Sequence, residues 1–317
     1  KNCEINVENT KSIAKVGGIV GSSIVTSMNA SNLLNQTNAY VDIDFGGNAK
    51  YLAMGGIYGE FHNYAKTSQA IQNNRINAYG TLNANTAQFM YVGGLVGNNV
   101  LKVLDANDSS ATSINYSYSG MEISIYSNKI AYVGGIIGNA ENLSLNNLIL
   151  SGEASYKDSG SLEIKNCVAS GYIDISTGSK FEHIYAGGIA GDTRDSISNT
   201  TILTTIVKPE YGNENKNKYN IDVLAGVNNY KGGNNGITVV DEVTGSRFES
   251  SKLLTSDDNT IRFANSDSYN ILDYVDFLDV FERSADMMYQ YIKEFITIKS
   301  GTVFNPIRVS SSSGILS

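Results

Sequence analysis

Apolar and polar positions keep a fixed phase over the first two-thirds of the chain. Five segments share the form small-or-apolar, Gly, Gly, aliphatic, variable, Gly. They are Val16-Gly17-Gly18-Ile19-Val20-Gly21, Met54-Gly55-Gly56-Ile57-Tyr58-Gly59, Val92-Gly93-Gly94-Leu95-Val96-Gly97, Val133-Gly134-Gly135-Ile136-Ile137-Gly138 and Ala186-Gly187-Gly188-Ile189-Ala190-Gly191. Leu224-Ala225-Gly226-Val227 is an eroded sixth copy. From the first glycine of each pair (Ala225 in the last), the intervals are 38, 38, 41, 53 and 38 residues. Ahead of the glycines lies an aliphatic-x-Asn element followed by alternation of period two, as in Ile164-Lys165-Asn166-Cys167 leading to Ile173 and Ile175, or Ile114-Asn115 leading to Ile123 and Ile125. That alternation predicts half-buried strands, and the fixed period predicts a repeat architecture.

The expected fold is an all-β parallel β-helix, a solenoid in which aliphatic side chains point inward and stack on their equivalents. A repeat of about 38 residues reads as two coils of about 19, giving roughly twelve coils over residues 1–229 and a rod on the order of 55–60 Å. The interval of 53 reads as one inserted coil, carried by Leu145-Asn146-Asn147-Leu148-Ile149-Leu150-Ser151-Gly152-Glu153-Ala154. The glycines are expected to supply positive φ and close approach at a corner, and the recurring Asn a turn in the left-handed region.

After Asn229 the texture changes. Gly232-Gly233-Asn234-Asn235-Gly236 reads as a turn, and Ile237–Val240 as strand-like. Ser266-Asp267-Ser268 offers N-caps for a helix over residues 269–296, with Leu272, Val275, Leu278, Phe281, Met288, Tyr291, Ile292 and Phe295 at steps of three and four. Residues 230–317 thus read as an α-helical cap on the last coil or a small subdomain, ending in a Ser-rich tail; an oligomerisation or docking helix is the alternative.

The Val-Gly-Gly-Ile-Val-Gly core, the upstream Asn-Cys and the Gly-x-Ile strand resemble the GLUG motif of large bacterial surface and secreted proteins, adhesin-like proteins among them. The resemblance covers residues 1–229 and departs from the pattern at Ala225–Asn229, where the last glycine is read as lost. It implies a right-handed parallel β-helix on a cell surface and no catalytic residues. Lys1-Asn2-Cys3 aligns with Lys165-Asn166-Cys167, so the chain is expected to begin inside a repeat, with further chain or another subunit upstream.

Charged residues make up 17% of the chain, against about 25% in an ordinary globular domain, so Asn, Ser, Thr and Tyr must cover much of the surface. The net charge is −8 and Lys and Arg form no block, which leaves nucleic acid without an electrostatic footprint. No apolar run approaches the 18–20 or so residues that span a bilayer. The expected role is a structural or adhesive segment of a larger cell-surface or secreted protein: a stalk, fibre or adhesin scaffold. A carbohydrate-active β-helix enzyme and a self-assembling filament subunit are the alternatives. Expected partners are other protein chains or cell-surface glycans, or copies of the chain itself.

Candidate chemistry is sparse. The two histidines, His62 and His183, and two cysteines, Cys3 and Cys167, lie scattered, without the spacing of a zinc site; the cysteines read as small core residues. Asp42, Asp44, Glu122, Glu153 and Asp174 are the strand-associated acids that stacking could gather. Tyr91, Tyr132 and Tyr185 each sit two residues before a Gly-Gly pair, and are expected to form an outward row, either a ligand face or a stack that stabilises the sheet. No cofactor is expected; Asp105-Ala106-Asn107-Asp108 is a candidate calcium loop without full ligand spacing.

Overall fold

The computed structural model describes residues 3–8, 12–25, 32–63, 71–85, 87–101, 110–139, 160–193, 196–198, 200–207, 218–222, 224–228, 235–240 and 259–263. These residues are β structure and connections, with no α-helix among them. The expected helix at 269–296, the inserted unit at 145–154 and the 105–108 loop lie outside the described residues.

Among the described residues every strand pairing is parallel, and the strands form three sheets. The chain visits them in one cyclic order. The first level runs through β1 (Cys3–Val7) in sheet A, β2 (Ile13–Gly17) in sheet B and β3 (Val20–Val25) in sheet C. The second repeats this with β4 (Asn32–Phe45), β5 (Tyr51–Gly55) and β6 (Tyr58–Asn63), and the third with β7 (Ile71–Asn85), β8 (Phe89–Gly93) and β9 (Val96–Leu101). In the next three levels the sheet A strand is split by a bend. These levels comprise β10 (Ser110–Asn115), β11 (Tyr118–Ser127), β12 (Ile130–Gly134) and β13 (Ile137–Asn139); then β14 (Gly160–Lys165), β15 (Val168–Thr177), β16 (His183–Gly187) and β17 (Ala190–Thr193); then β18 (Ile197–Ser198), β19 (Thr201–Val207), β20 (Tyr219–Asp222) and β21 (Ala225–Asn228). Sheet A continues through β22 (Asn235–Val240) and β23 (Asn259–Phe263).

The register corrects the expected coil length. Cys3 faces Val41, Ile13 faces Tyr51 and Val20 faces Tyr58, each an offset of 38 residues. One repeat is therefore one turn through three sheets, rather than two coils of 19. The aliphatic-x-Asn element is the sheet A strand of the same turn. With about 4.8 Å between levels, the eight levels of sheet A among the described residues span about 34 Å, well short of the length expected from twelve coils. Nor does the interval of 53 insert a level: β10, β11, β12 and β13 pair directly with β14, β15, β16 and β17. The extra residues fall in sequence between β13 and β14, outside the described residues.

The core fills the space between the sheets. Ile43, Leu82, Ile123, Ile173 and Ile206 form one buried column in register, and Ile57, Leu95, Ile136 and Ile189 another at the Gly-Gly corner. The corner glycines do not carry positive φ; among described glycines that belongs to Gly80 and Gly171. They are required by crowding. A Cβ on Gly94 would lie 2.1 Å from the Gly135 carbonyl oxygen, and one on Gly97 2.4 Å from the Met54 nitrogen. The left-handed bend sits in sheet A, at Gln36, Arg75, Tyr116 and Asn166, which occupy equivalent places. Only one of the four is Asn, so the bend is imposed by its surroundings more than by that residue's tolerance.

Two alignments also change. Cys3 shares a column with Val41, Gly80, Met121 and Gly171, not with Cys167. In the eroded copy Ala190 faces Ala225 and Asp192 faces Val227, so Gly226 keeps the last glycine and the Gly-Gly pair is what is replaced, by Asp222 and Val223.

Candidate functional site

At each Gly-Gly corner the chain folds sheet C back against the outer side of sheet B. Met54, Val92, Val133 and Ala186 point into the core. Their neighbours Ala53, Tyr91, Tyr132 and Tyr185 therefore face the other way and lie in register. Opposite them stands a column from sheet C: Ser22, Glu60, Asn98, Asn139 and Asp192, each the residue after the last glycine of its cluster. The two columns close on each other in a narrow wedge.

The tyrosines are stacked, as the sequence pattern allowed, but not exposed as a row. Tyr91 and Tyr132 lie 5.3 Å apart at 13°, Tyr132 and Tyr185 4.7 Å apart at 14°, and His183 continues the stack at 5.7 Å from Tyr185. Tyr91 is only 1% exposed and the other two are half-buried. Tyr51 reaches the same wedge and tilts against Tyr91.

Within the wedge Glu60 is a buried charge, 1% exposed. Lys15 Nζ stands 2.5 Å from its Oε1, which also meets His62 Nε2, and Tyr51 donates to Oε2. Burial would raise its carboxyl; the hydrogen bond and charge of His62, with the bonds from Lys15 and Tyr51, outweigh that and hold it down to about 2. Asn98 donates to the Tyr51 hydroxyl at 2.8 Å, and Asn139 donates to Asn98 Oδ1 at 2.8 Å. The ladder ends at Asp192, 3% exposed, whose Oδ1 has no hydrogen-bond partner among the described residues. Burial pushes the Asp192 carboxyl up to about 7 against a hydrogen bond from the Thr193 backbone. The phenols are raised too: Tyr51 by burial and then Glu60, Tyr91 by burial and then the charges of Glu60 and Asp192, Tyr132 and Tyr185 chiefly by burial.

No family model, curated protein or solved structure matches the chain.

From Lys15 to Asn139 the wedge's polar side chains satisfy one another, and Asp192 Oδ1 is the atom left over among the described residues. Glu60 is occupied by four groups, Lys15, His62, Tyr51 and Asn98, and the raised phenols stay neutral; the hydroxyl and imidazole that meet this carboxylate are buried in its network rather than presented to a substrate as an activated nucleophile would be. Cys167 is remote and fully buried, its thiol pushed up to about 12 by burial. The acids Asp42, Asp44, Glu122 and Asp174 do share a face, the outer side of sheet A. Asp42 Oδ1 accepts from Thr81 N and Oγ1, and Asp44 Oδ1 from Asn83 Nδ2 at 2.7 Å. Glu153 lies outside the described residues. Sequence reasoning found the tyrosines but missed Tyr51 and the Lys15–Glu60–His62 cluster. The available signal was the polar residue that follows each Gly-x-x-Gly: Glu60, Asn98, Asn139, Asp192.

Proposed function

We propose that the chain is a right-handed parallel β-helix of the GLUG kind, serving as a structural, adhesive segment of a large cell-surface or secreted protein. The observation that carries this reading is the polar ladder from Lys15 to Asn139, in which each side chain bonds one from its own or a neighbouring turn. Such ladders pin the register of stacked strands and spend their polar groups on shape rather than on a substrate. The in-register parallel sheets support a stiff segment that presents lateral faces to protein or glycan partners.

The test is retention. Beads coated with the purified chain are passed over surfaces bearing mammalian or bacterial glycans while released sugar is assayed. Retention without cleavage is expected. Released reducing ends or unsaturated products would overturn the reading in favour of a carbohydrate-active enzyme working on the acidic face of sheet A. Concentration-dependent particle length would bring forward the filament reading.

A further inference from the structure

A hollow runs along the outer face of sheet A where its strands end. One outward column there is Asn6, Asp44, Asn83 and Ser124, in register. In the next, Asn85 faces Tyr126 and Tyr126 faces Ser176. Glu8 and Gly46 extend that column one residue beyond the pairs Val7–Phe45 and Phe45–Ala84. Gly46 is a gap in the column, for a Cβ there would meet nothing within 4 Å. The result is an open groove of about 480 Å³, floored by the core residues Phe45, Ala84 and Ile125.

We propose that this groove binds an extended chain of neutral or amino hexoses lying along the stacking axis. The proposal rests on the adhesive reading and gives it a site. Among the described lining residues are two carboxylates, Glu8 and Asp44, and no cation. Uronate or sulfated chains are therefore repelled, whereas neutral or amino sugars are not. The bond from Asn83 Nδ2 to Asp44 Oδ1, 2.7 Å long, holds an amide and a carboxylate side by side, and such a pair offers donor and acceptor together, as neighbouring sugar hydroxyls require. Tyr126, 39% exposed, supplies an aromatic face with a polar tip. Its hydroxyl lies beside Gly178, where an added Cβ would come 3.1 Å from that oxygen and 2.2 Å from Asn128 Oδ1. The five levels that line the groove repeat every 4.8 Å or so and extend over about 19 Å, so a polymer of similar unit length meets one level of the stack at each step. A basic peptide fits less well, because amides and hydroxyls outnumber the two carboxylates.

The probes are cellohexaose and a chitosan hexamer, with hexagalacturonate and hexalysine as comparators, titrated calorimetrically into the full chain. Binding of at least one of the first two is expected, with none of hexagalacturonate. Gly46→Trp, which fills the notch without touching the core, and Tyr126→Ala, which removes the platform, are each expected to weaken it about tenfold or more with an unchanged melting temperature. Binding of hexalysine alone, no binding of any sugar, or full affinity in Gly46→Trp would overturn the proposal. Beads that remain adherent when the Gly46→Trp chain is used would remove the groove and leave the adhesive reading. Binding of the hexamer in solution without adhesion would remove the adhesive reading and leave the groove.

Discussion

A methyl group at Gly94 would sit 2.0 Å from Ser119 Oγ and 2.1 Å from the Gly135 carbonyl oxygen, and the backbone oxygen belongs to the next turn, which cannot withdraw alone. Gly94→Ala is expected to cost about 3 kcal/mol or more, measured by urea unfolding. Cys167 plays a quieter part. Its thiol contacts the Lys165 carbonyl two residues back, and Ser117 and Thr200 at the equivalent bends bond Asn115 and Ser198 in the same way. Cys167→Ser should keep the bend and its stability, while Cys167→Val, which deletes the donor, should lose about 1–2 kcal/mol. The two buried acids of the wedge pull in opposite directions with pH. Glu60, lowered from 4.5 to about 2, contributes stability that is full above pH 4.5 and is lost as pH falls toward 2. Asp192, raised from 3.8 to about 7, holds its proton longer in the folded chain, so stability declines as pH rises from about 4 to 7. Together they give a maximum near pH 4. Asp192→Asn should abolish the decline, about 4 kcal/mol at most, in chemical denaturation run across that range; an unchanged decline would show that Asp192 ionises freely.

The strands and the corner were legible in the sequence because both rest on local pattern. Alternation put Ile123 and Ile125 inward, and the glycine spacing fixed where sheet B gives way to sheet C. The length of a turn was not legible. A strand from sheet A and one from sheet B look alike in a period-two pattern, so a repeat of two recognisable units reads as two coils when the units are two sides of one. Excision tests this directly. Removing residues 56–93, which brings Gly55 to Gly94, deletes one turn and should leave a chain that still unfolds cooperatively, since each level contacts only its neighbours. Removing residues 56–74 instead leaves part of a turn and should abolish the cooperative transition. Equal tolerance of both deletions, read by circular dichroism melting, would mean the turn is half as long.

The wedge was hidden for a different reason. Tyr91, Tyr132 and Tyr185 were correctly placed on the side away from the core, but what covers them is the neighbouring sheet of the same turns, brought back by the crowded glycine corner. Lys15 and Glu60 meet from adjacent levels, and no linear pattern joins them. The ladder, the groove and the proposed adhesive role all depend on one claim, that each repeat is a single turn stacked in register on the last. Nitroxide labels at Glu4→Cys and Tyr172→Cys, in a Cys3→Ser background because Cys3 is exposed, measure it by pulsed electron–electron resonance. These positions lie in one column with Asp42, Thr81 and Glu122 between them. Single-turn repeats predict a narrow distribution centred near 19 Å, four level spacings. A distance near twice that, or a broad distribution, would contradict the account.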